Sequence, residues 1–201
     1  GRKFFHGVLE DMAADGKELT VDEVDSILNC ALRTADAPVL DAILSLQFHF
    51  FLGDPIKSSS LFNEGRIHRI LEIAATSGRP DIARIAMQWC DKIGVKPREI
   101  HFALWAKSSI GNNDFIDATE VLILAHNSGC DIRNSSFGPW LHRCFAKRLE
   151  GIMLNNKSSE ENNITSPVDD LHNSLMNLAR GDWHVPPMAV DALITAAGWV
   201  N

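Results

Sequence analysis

One group of side chains in this 201-residue chain has the residue types that can bind zinc: Cys130, His142 and Cys144. Thiolate and imidazole ligands hold Zn²⁺ when several of them converge in a tetrahedral site. His142 and Cys144 are two positions apart on a predicted helix, so they point to different faces. The sequence therefore predicts no metal site, and it predicts no other cofactor.

Asp114, Asp117 and Glu120 form a second candidate group, because clustered carboxylates can hold the metal ions of a nuclease. Their regular spacing of three residues places them on one face of a helix. A solvated, charged helix face is the better account of that spacing. We therefore expect these three side chains to be exposed and to have no catalytic role.

Ser166, Asp169, Asp170 and His172 contain the residue types of a Ser-His-Asp triad. Ser166 is better explained as the N-cap of a helix with proline in its first turn, where acidic residues interact favourably with the helix dipole. The chain also contains neither a phosphate loop ending in Gly-Lys-Ser/Thr nor a His-Glu-x-x-His motif. We therefore predict that the protein is not an enzyme.

The elements that position these side chains are predicted to be helices, because sustained strand alternation is nearly absent. Thr20, followed by Glu23, has the pattern of a capping box and predicts a helix that ends near Thr34. An earlier helix, residues 4–14, is closed by Gly16. The second helices of the predicted pairs are residues 38–52, 79–93, 114–128 and 167–179. Gly78 and Asn112-Asn113 are predicted to make the short turns within pairs.

The chain nearly repeats itself every 35 residues between positions 67 and 148. Two such shifts carry Ile67, Ile70 and Leu71 first onto Phe102, Trp105 and Ala106, and then onto Phe137, Trp140 and Leu141. A fixed period of about 20–50 residues is typical of helical repeats, whose units bury their apolar faces against neighbouring units.

This period predicts an all-α fold, a right-handed α-solenoid of antiparallel helical hairpins with repeats of about 35 residues. We expect one domain, residues 1–201. Its predicted parts are a half unit 1–19, units 20–62, 63–97, 98–132 and 133–186, loop insertions 54–62 and 151–166, and an opening half unit 187–201. The chain begins without Met and shows no targeting segment, so we expect it to be a piece of a longer protein.

The net charge of −7 is unevenly distributed along the chain. Residues 64–148 contain 12 basic and 9 acidic residues (+3), and the remainder contains 7 and 17 (−10). This balance argues against strong non-specific binding to nucleic acid, and we expect no DNA partner. No apolar run is long enough to span a membrane, so no membrane partner is expected. The four scattered cysteines are predicted to be buried free thiols in a reducing compartment.

A 35-residue hairpin that closes with Gly94-Val95-Lys96-Pro97 and begins with the Phe102/Trp105 pattern resembles the pentatricopeptide repeat family. The Phe137/Trp140 pair and residues 186–195 continue this pattern, so the resemblance covers most of the chain. The tetratricopeptide family, with a period of 34, is the alternative, and two steps of 35 favour the former. Pentatricopeptide proteins mostly bind single-stranded RNA in organelles, and the members with a code read one base per repeat.

The side chains at the base-reading positions do not match that code. The positions implied by the resemblance pair Asp25 with Asn63, His68 with Arg98, Ala103 with Arg133, and Gly138 with Pro186. None of the four is the pair of short polar side chains that coding members use, and neither Ala103 nor Gly138 has a polar group for a base edge. We therefore predict that bases are not read one by one.

We expect any RNA contact to involve the backbone or a structured RNA. The candidate binding residues are Arg66, His68, Arg69, Arg98, Lys107, Arg133 and Arg143. Arg98 and Arg133 present guanidinium groups, which suit phosphate, at a separation of 35 residues. The alternative interpretation is that these are ordinary solvated surface charges.

The resemblance implies a non-catalytic, RNA-associated adaptor in a mitochondrion or another organelle. Its role would be in RNA processing, stability or translation, within a ribonucleoprotein such as a mitochondrial ribosome-like assembly. The expected partners are single-stranded or structured RNA and the proteins of a larger complex. The alternative is a scaffold for protein–protein interaction that does not bind RNA directly.

Overall fold

The computed structural model describes residues 20–50, 61–132, 135–141, 143–144, 147–148 and 176. Six helices are defined in these ranges: α1 Val21–Thr34, α2 Ala37–Phe50, α3 Glu64–Ser77, α4 Pro80–Lys92, α5 Glu99–Gly111 and α6 Phe115–Asn127. Residues 137–141, 143–144 and 147–148 are also helical, and none of the described residues is in a strand. The prediction of an all-α chain is therefore confirmed for this part. None of the described helices has the length and apolar character needed to cross a membrane.

Several predicted features lie outside the described residues. They are the helix at 4–14, the insertion at 151–166, the helix at 167–179, the half units, and the positions Arg133, His142, Ser166, Asp169, Asp170 and His172.

Local signals at the helix ends explain where the helices begin and end. Thr20 forms the predicted capping box: its hydroxyl accepts from the Glu23 N–H at 3.3 Å, and its own N–H donates to the Glu23 carboxylate at 2.8 Å. The hydrogen bonds that the Thr20 N–H and hydroxyl donate to the Glu23 carboxylate, each at 2.8 Å, lower the pKa of Glu23. Gly78 ends α3 in the left-handed conformation, at φ 65°, and Asn113 has φ 64° in the turn after α5. The predicted turns are confirmed, because glycine and asparagine adopt this conformation most readily.

The described helices form three hairpins. Connections of two or three residues join α1 to α2, α3 to α4 and α5 to α6, and the members of each pair pack against each other. Helices that are connected so closely and packed together run antiparallel. The chain divides into two compact units, Gly1–Pro97 and Arg98–Asn201. That boundary coincides with a predicted repeat boundary, while the handedness and the repeat length of a solenoid stay predictions.

Within the first unit, the second hairpin packs on the first. α1 contacts α3, and α2 contacts both α3 and α4. The repeated positions Ile67, Ile70, Leu71 and Ala74 are completely buried, as predicted for the apolar stripe of α3. Burial of this stripe against a neighbouring hairpin is what a helical repeat needs, because one hairpin has no core of its own.

Phe62 is part of this core, although the sequence analysis placed it in a loop insertion. It is 2% exposed, and its ring stacks on Trp89 of α4 with the ring centroids 4.4 Å apart. Leu61 beside it is buried as well. Composition identified the polar residues before it, but the partner of Phe62 lies 27 residues further along the chain.

In the second unit, α5 is buried around almost its whole circumference. Nine of its residues are buried, including Phe102, Trp105, Ala106 and Ser109 at the predicted stripe positions. The repeated apolar template is therefore confirmed in α3 and α5, whereas in the following repeat Leu141 is buried and Phe137, Trp140 and Cys144 are half-buried.

The prediction that the acidic group of α6 is exposed is wrong for Asp117. Its side chain is buried and accepts a hydrogen bond from Ser109 Oγ at 2.5 Å. Asp114, the N-cap of α6, accepts from the Asp117 N–H at 3.0 Å. Asp117 faces α5, where the Ser109 hydroxyl donates a hydrogen bond to its carboxylate. The spacing of the acidic residues could not predict this contact, because the partner lies on another helix.

The prediction that the cysteines are buried is confirmed only for Cys90. Cys30 is exposed, Cys130 and Cys144 are half-buried, and none of the four forms a disulfide. Burial, followed by the charges of Asp91 and Glu64, raises the pKa of Cys90 to about 11. The prediction is wrong for Cys30, because it lies outside the stripe of α1 formed by Val24, Leu28 and Ala31.

Candidate nucleic-acid interface

Arg66, the first of the predicted binding residues, is occupied by contacts within the first unit. Its guanidinium lies 2.6 Å from the Asp25 carboxylate. It also donates to the Leu61 carbonyl at 2.6 Å and to Asn29 Oδ1 at 3.0 Å. These contacts connect the start of α3 to α1. The side chain therefore fastens two hairpins together, and its charge is already balanced by a carboxylate.

His68 and Arg69 share one acidic neighbour on α3. Arg69 donates to Glu72 at 2.8 Å, and His68 Nε2 lies 3.6 Å from the same carboxylate. Arg69 also directs its Nε toward the Leu32 carbonyl at 3.4 Å. The Arg69 side chain is 48% exposed, so it reaches solvent while it remains paired.

Arg98 is exposed at the N-cap of α5. Its backbone N–H donates to His101 Nδ1 at 3.3 Å, which satisfies the first turn through a buried imidazole. Arg133, the residue 35 positions later with which it was compared, lies outside the described residues. The proposed matched pair of guanidinium groups therefore stays a prediction.

Lys107 of α5 contacts the helical segment that precedes Arg143. The Lys107 ammonium lies over the Trp140 ring, 5.1 Å from its centroid. Lys107, Arg143 and Lys147 all act electrostatically on Cys144, where each cation favours the thiolate. Burial outweighs the three cations, so the pKa of Cys144 is raised.

Arg148 extends this group toward the turn after α5. Its Nε donates to Asn113 Oδ1 at 2.6 Å. We refer to Lys107, Arg143, Lys147 and Arg148 as the basic patch. The last three are exposed, and Lys107 is half-buried.

Two members of the basic patch, Lys147 and Arg148, were not predicted as binding residues. A signal was present in the sequence, because residues 132–149 contain four basic residues and no acidic residue. The period of 35 favours positions that match between repeats, whereas this segment is recognised by its excess of basic over acidic residues.

The structure shows the surroundings of four of the base-reading positions. Asp25 is bound to Arg66, and Asn63 is the N-cap of α3, where its side chain accepts from the Arg66 N–H at 2.9 Å. Ala103 and Gly138 are both buried. Two of the reading positions are therefore engaged in helix contacts, and two others have no polar group to present.

The described residues contain no group of three or more His, Cys, Asp or Glu side chains that could hold a metal ion. Cys130 and Cys144 belong to the described residues, whereas His142 does not. Of the acidic residues of α6, Asp117 is buried and Glu120 is exposed, so the two carboxylates do not face one common site. The acidic side chains Asp114 and Asp117 make hydrogen bonds at the start of α6, whereas the basic patch of the second unit suits an anionic ligand.

Comparison with known proteins gives one family. Neither the curated proteins nor the solved structures include a significant match to this chain. Residues 64–155 match the family model described as "Pentatricopeptide repeat-containing protein", and this segment contains α3 to α6 and the basic patch. The resemblance to pentatricopeptide repeat proteins that the sequence predicts is therefore confirmed over residues 64–155.

Proposed function

We propose that this protein is a non-catalytic helical-repeat adaptor that associates with RNA without reading its bases one by one. Its setting is an organelle, the mitochondrion first, in RNA processing, stability or translation as part of a larger ribonucleoprotein such as a ribosome-like assembly. The family match over residues 64–155 supports the general class of adaptor. RNA is the polyanion that such repeats most often bind.

The observation that carries the proposal is a run of basic residues beside buried reading positions. Residues 132–149 hold four cations and no carboxylate, and Lys107 of α5 joins them. Ala103 and Gly138 are buried. A surface with cations and without amide or hydroxyl groups at the reading positions favours contacts to phosphate, which position RNA but carry no sequence information.

The test is RNA binding by the chain as a function of salt concentration. We expect single-stranded and hairpin RNAs of different sequence to bind with affinities that agree within a few fold. With three or four phosphate contacts, affinity should fall about 20- to 50-fold between 50 and 200 mM salt, since each contact contributes about 0.7 to the logarithmic slope on single strands. Undetectable binding at 50 mM salt, or a strong dependence on base sequence, would contradict the proposal.

A protein-binding scaffold is the second candidate, and the outer face of α6 favours it. Ile116 and Leu124 are 48% and 46% exposed on this helix. They are eight positions apart on one helix face, and an exposed apolar face of a helix is a surface to which a protein partner can bind. If the scaffold is correct, partner proteins should remain bound to the purified protein after nuclease treatment, and Ile116→Asp with Leu124→Asp should release them. If RNA is the main partner, nuclease treatment should release most of the associated material.

A further inference from the structure

We propose that the basic patch of the second unit is the RNA-binding site and that it holds the sugar–phosphate backbone through Lys107, Arg143, Lys147 and Arg148. This inference rests on the proposed function and adds the location and the ligand chemistry. It moves the site away from the repeat positions at which coding members read bases.

Cations from two separate segments are brought together by direct contacts. The Lys107 ammonium of α5 lies 5.1 Å from the centroid of the Trp140 ring, three positions before Arg143. Arg148 Nε donates to Asn113 Oδ1 in the turn after α5 at 2.6 Å. Arg143 and Lys147 are four positions apart, so they lie on the same helix face. Charges from two separate segments therefore form one surface, which is what a site for a chain of phosphates requires.

An aromatic ring positions Lys107. Its ammonium is held over the Trp140 ring at 5.1 Å. A contact of this kind with an aromatic face contributes about 0.5–1 kcal/mol at an exposed site and leaves the ammonium positively charged. Lys107 is therefore held in place without being neutralised, unlike a lysine in an ion pair with a carboxylate.

Three arginines of the first unit, in contrast, are paired with carboxylates. Arg66 pairs with Asp25, Arg69 pairs with Glu72, and Arg79 pairs with Asp41 and Asp81. Arg143 and Lys147, by comparison, form no ion pair with any residue that the structure describes. A phosphate that approaches Arg66, Arg69 or Arg79 must compete with those carboxylates, whereas none of the described carboxylates forms an ion pair with Arg143 or Lys147.

The residue types of the patch indicate the chemical class of its ligand. Lysine is a flexible point charge and arginine is a planar donor, and both suit phosphate oxygens. The Arg148 guanidinium is held by the Asn113 side chain, an uncharged acceptor that leaves its charge available. The patch therefore fits a backbone with successive phosphates, independently of the bases attached to it.

The experiment compares two charge-reversal variants of the full chain. Arg143→Glu with Lys147→Glu changes the patch. Arg33→Glu with Lys96→Glu changes two exposed cations of the first unit and is the matched control. Circular dichroism and thermal unfolding establish that both variants are folded. Binding of a fluorescent single-stranded RNA is then measured by anisotropy from 50 to 200 mM salt.

We expect the patch variant to lose at least tenfold in affinity at 50 mM salt, and the control to stay within about twofold of the unmodified chain. The logarithmic salt slope of the patch variant should fall by about 1.4, since two contacts of about 0.7 each are removed. The conservative exchange Arg143→Lys with Lys147→Arg should retain most of the affinity. If both reversals bind RNA like the unmodified chain, the site is wrong while the proposed function stands. If the unmodified chain does not bind RNA, the proposed function fails and this inference fails with it.

Cys144 provides a second measurement that does not depend on substitutions. It lies within the patch, whereas Cys30 is exposed in the first unit. We expect RNA to slow the alkylation of Cys144 at pH 8.5 by at least threefold and to leave Cys30 unaffected, as read by mass spectrometry of the modified peptides. Equal alkylation of Cys144 with and without RNA would place the ligand elsewhere.

Discussion

Arg66 and Arg143 are the same residue type, and their surroundings give them different chemistry. Arg66 is bound by one carboxylate, one carbonyl and one amide oxygen, whereas Arg143 is exposed beside other cations. An exposed ion pair contributes little to stability, about 0–1 kcal/mol, but it does cancel a charge. The suitability of a basic residue for phosphate therefore depends on its neighbours.

Phe62 is the residue of the predicted insertion on which the first unit depends most. We expect Phe62→Ala to lower the free energy of unfolding by about 3–5 kcal/mol, because it removes a buried ring and leaves a cavity beside Trp89. Urea unfolding followed by circular dichroism measures this change. Leu124→Ala, which truncates an exposed side chain of α6, is the control and should change stability by less than about 0.5 kcal/mol. A loss below about 1 kcal/mol for Phe62→Ala would contradict the packing described above.

Cys30 and Cys90 should differ strongly in reactivity. Burial raises the pKa of Cys90 to about 11, so at pH 8 its thiol is protonated as well as inaccessible. Cys30 is exposed, and thiolate is the reactive species. A thiol reagent at pH 8 should modify Cys30 within minutes, whereas Cys90 should react only after denaturation, as measured by mass spectrometry. Cys90 reacting at the rate of Cys30 in the folded protein would contradict this prediction.

At the scale of the helix, sequence reasoning succeeded where the cause is local. Thr20 and Glu23 are three residues apart and satisfy each other, and Gly78 needs only its own backbone conformation. It failed for Phe62 and Asp117, because their partners Trp89 and Ser109 lie on other helices. The repeat predicted which apolar positions are buried, since every unit must cover the same stripe. It did not predict the basic patch, because that patch does not follow the period.

Arg79 connects the first hairpin to the start of α4 through two carboxylates. It lies 2.5 Å from Asp41 of α2 and 2.6 Å from Asp81 in the first turn of α4. Hydrogen bonding to Arg79 is the main cause that lowers the pKa of Asp81 below its ordinary value of 3.8. Because the folded state favours the charged carboxylate, its contribution to stability is present above pH 3.8 and is lost as the pH falls below that value.

We therefore expect Asp81→Asn to destabilise the protein at pH 7 and to have a smaller effect near pH 3. The quantity to measure is the difference in free energy of unfolding between the variant and the unmodified chain, at several pH values between 7 and 3. Arg79→Gln is the control background, because in it the substitution of Asp81 should lose most of its pH dependence. A difference that stays constant over this range, or grows toward acid pH, would show that Arg79 does not hold the Asp81 carboxylate.

At the scale of the whole molecule, the charge distribution limits how RNA can bind. The chain carries a net charge of −7, with +3 over residues 64–148 and −10 over the remainder. A polyanion is therefore repelled by most of the molecule and attracted by a small part of it. Screening shortens the reach of both effects, to about 8 Å at 0.15 M salt compared with about 30 Å at 0.01 M. The charges nearest the RNA should therefore decide affinity at physiological salt, and more distant acidic residues should matter only in dilute buffer.

Asp22→Asn with Asp91→Asn tests this balance, because both aspartates are exposed in the first unit and their substitution makes the net charge −5. At 0.01 M salt we expect the variant to bind single-stranded RNA about two- to fivefold more tightly, since long-range repulsion is reduced. At 0.15 M salt the gain should be smaller than about twofold, because screening shortens the reach of the two removed charges to about 8 Å. Anisotropy titrations at the two salt concentrations measure both values, with the reversal of Arg143 and Lys147 as the comparison that loses affinity at either one. An equal gain at both concentrations would mean that RNA touches the acidic residues themselves, and a binding surface that extends over the first unit would then replace a local patch.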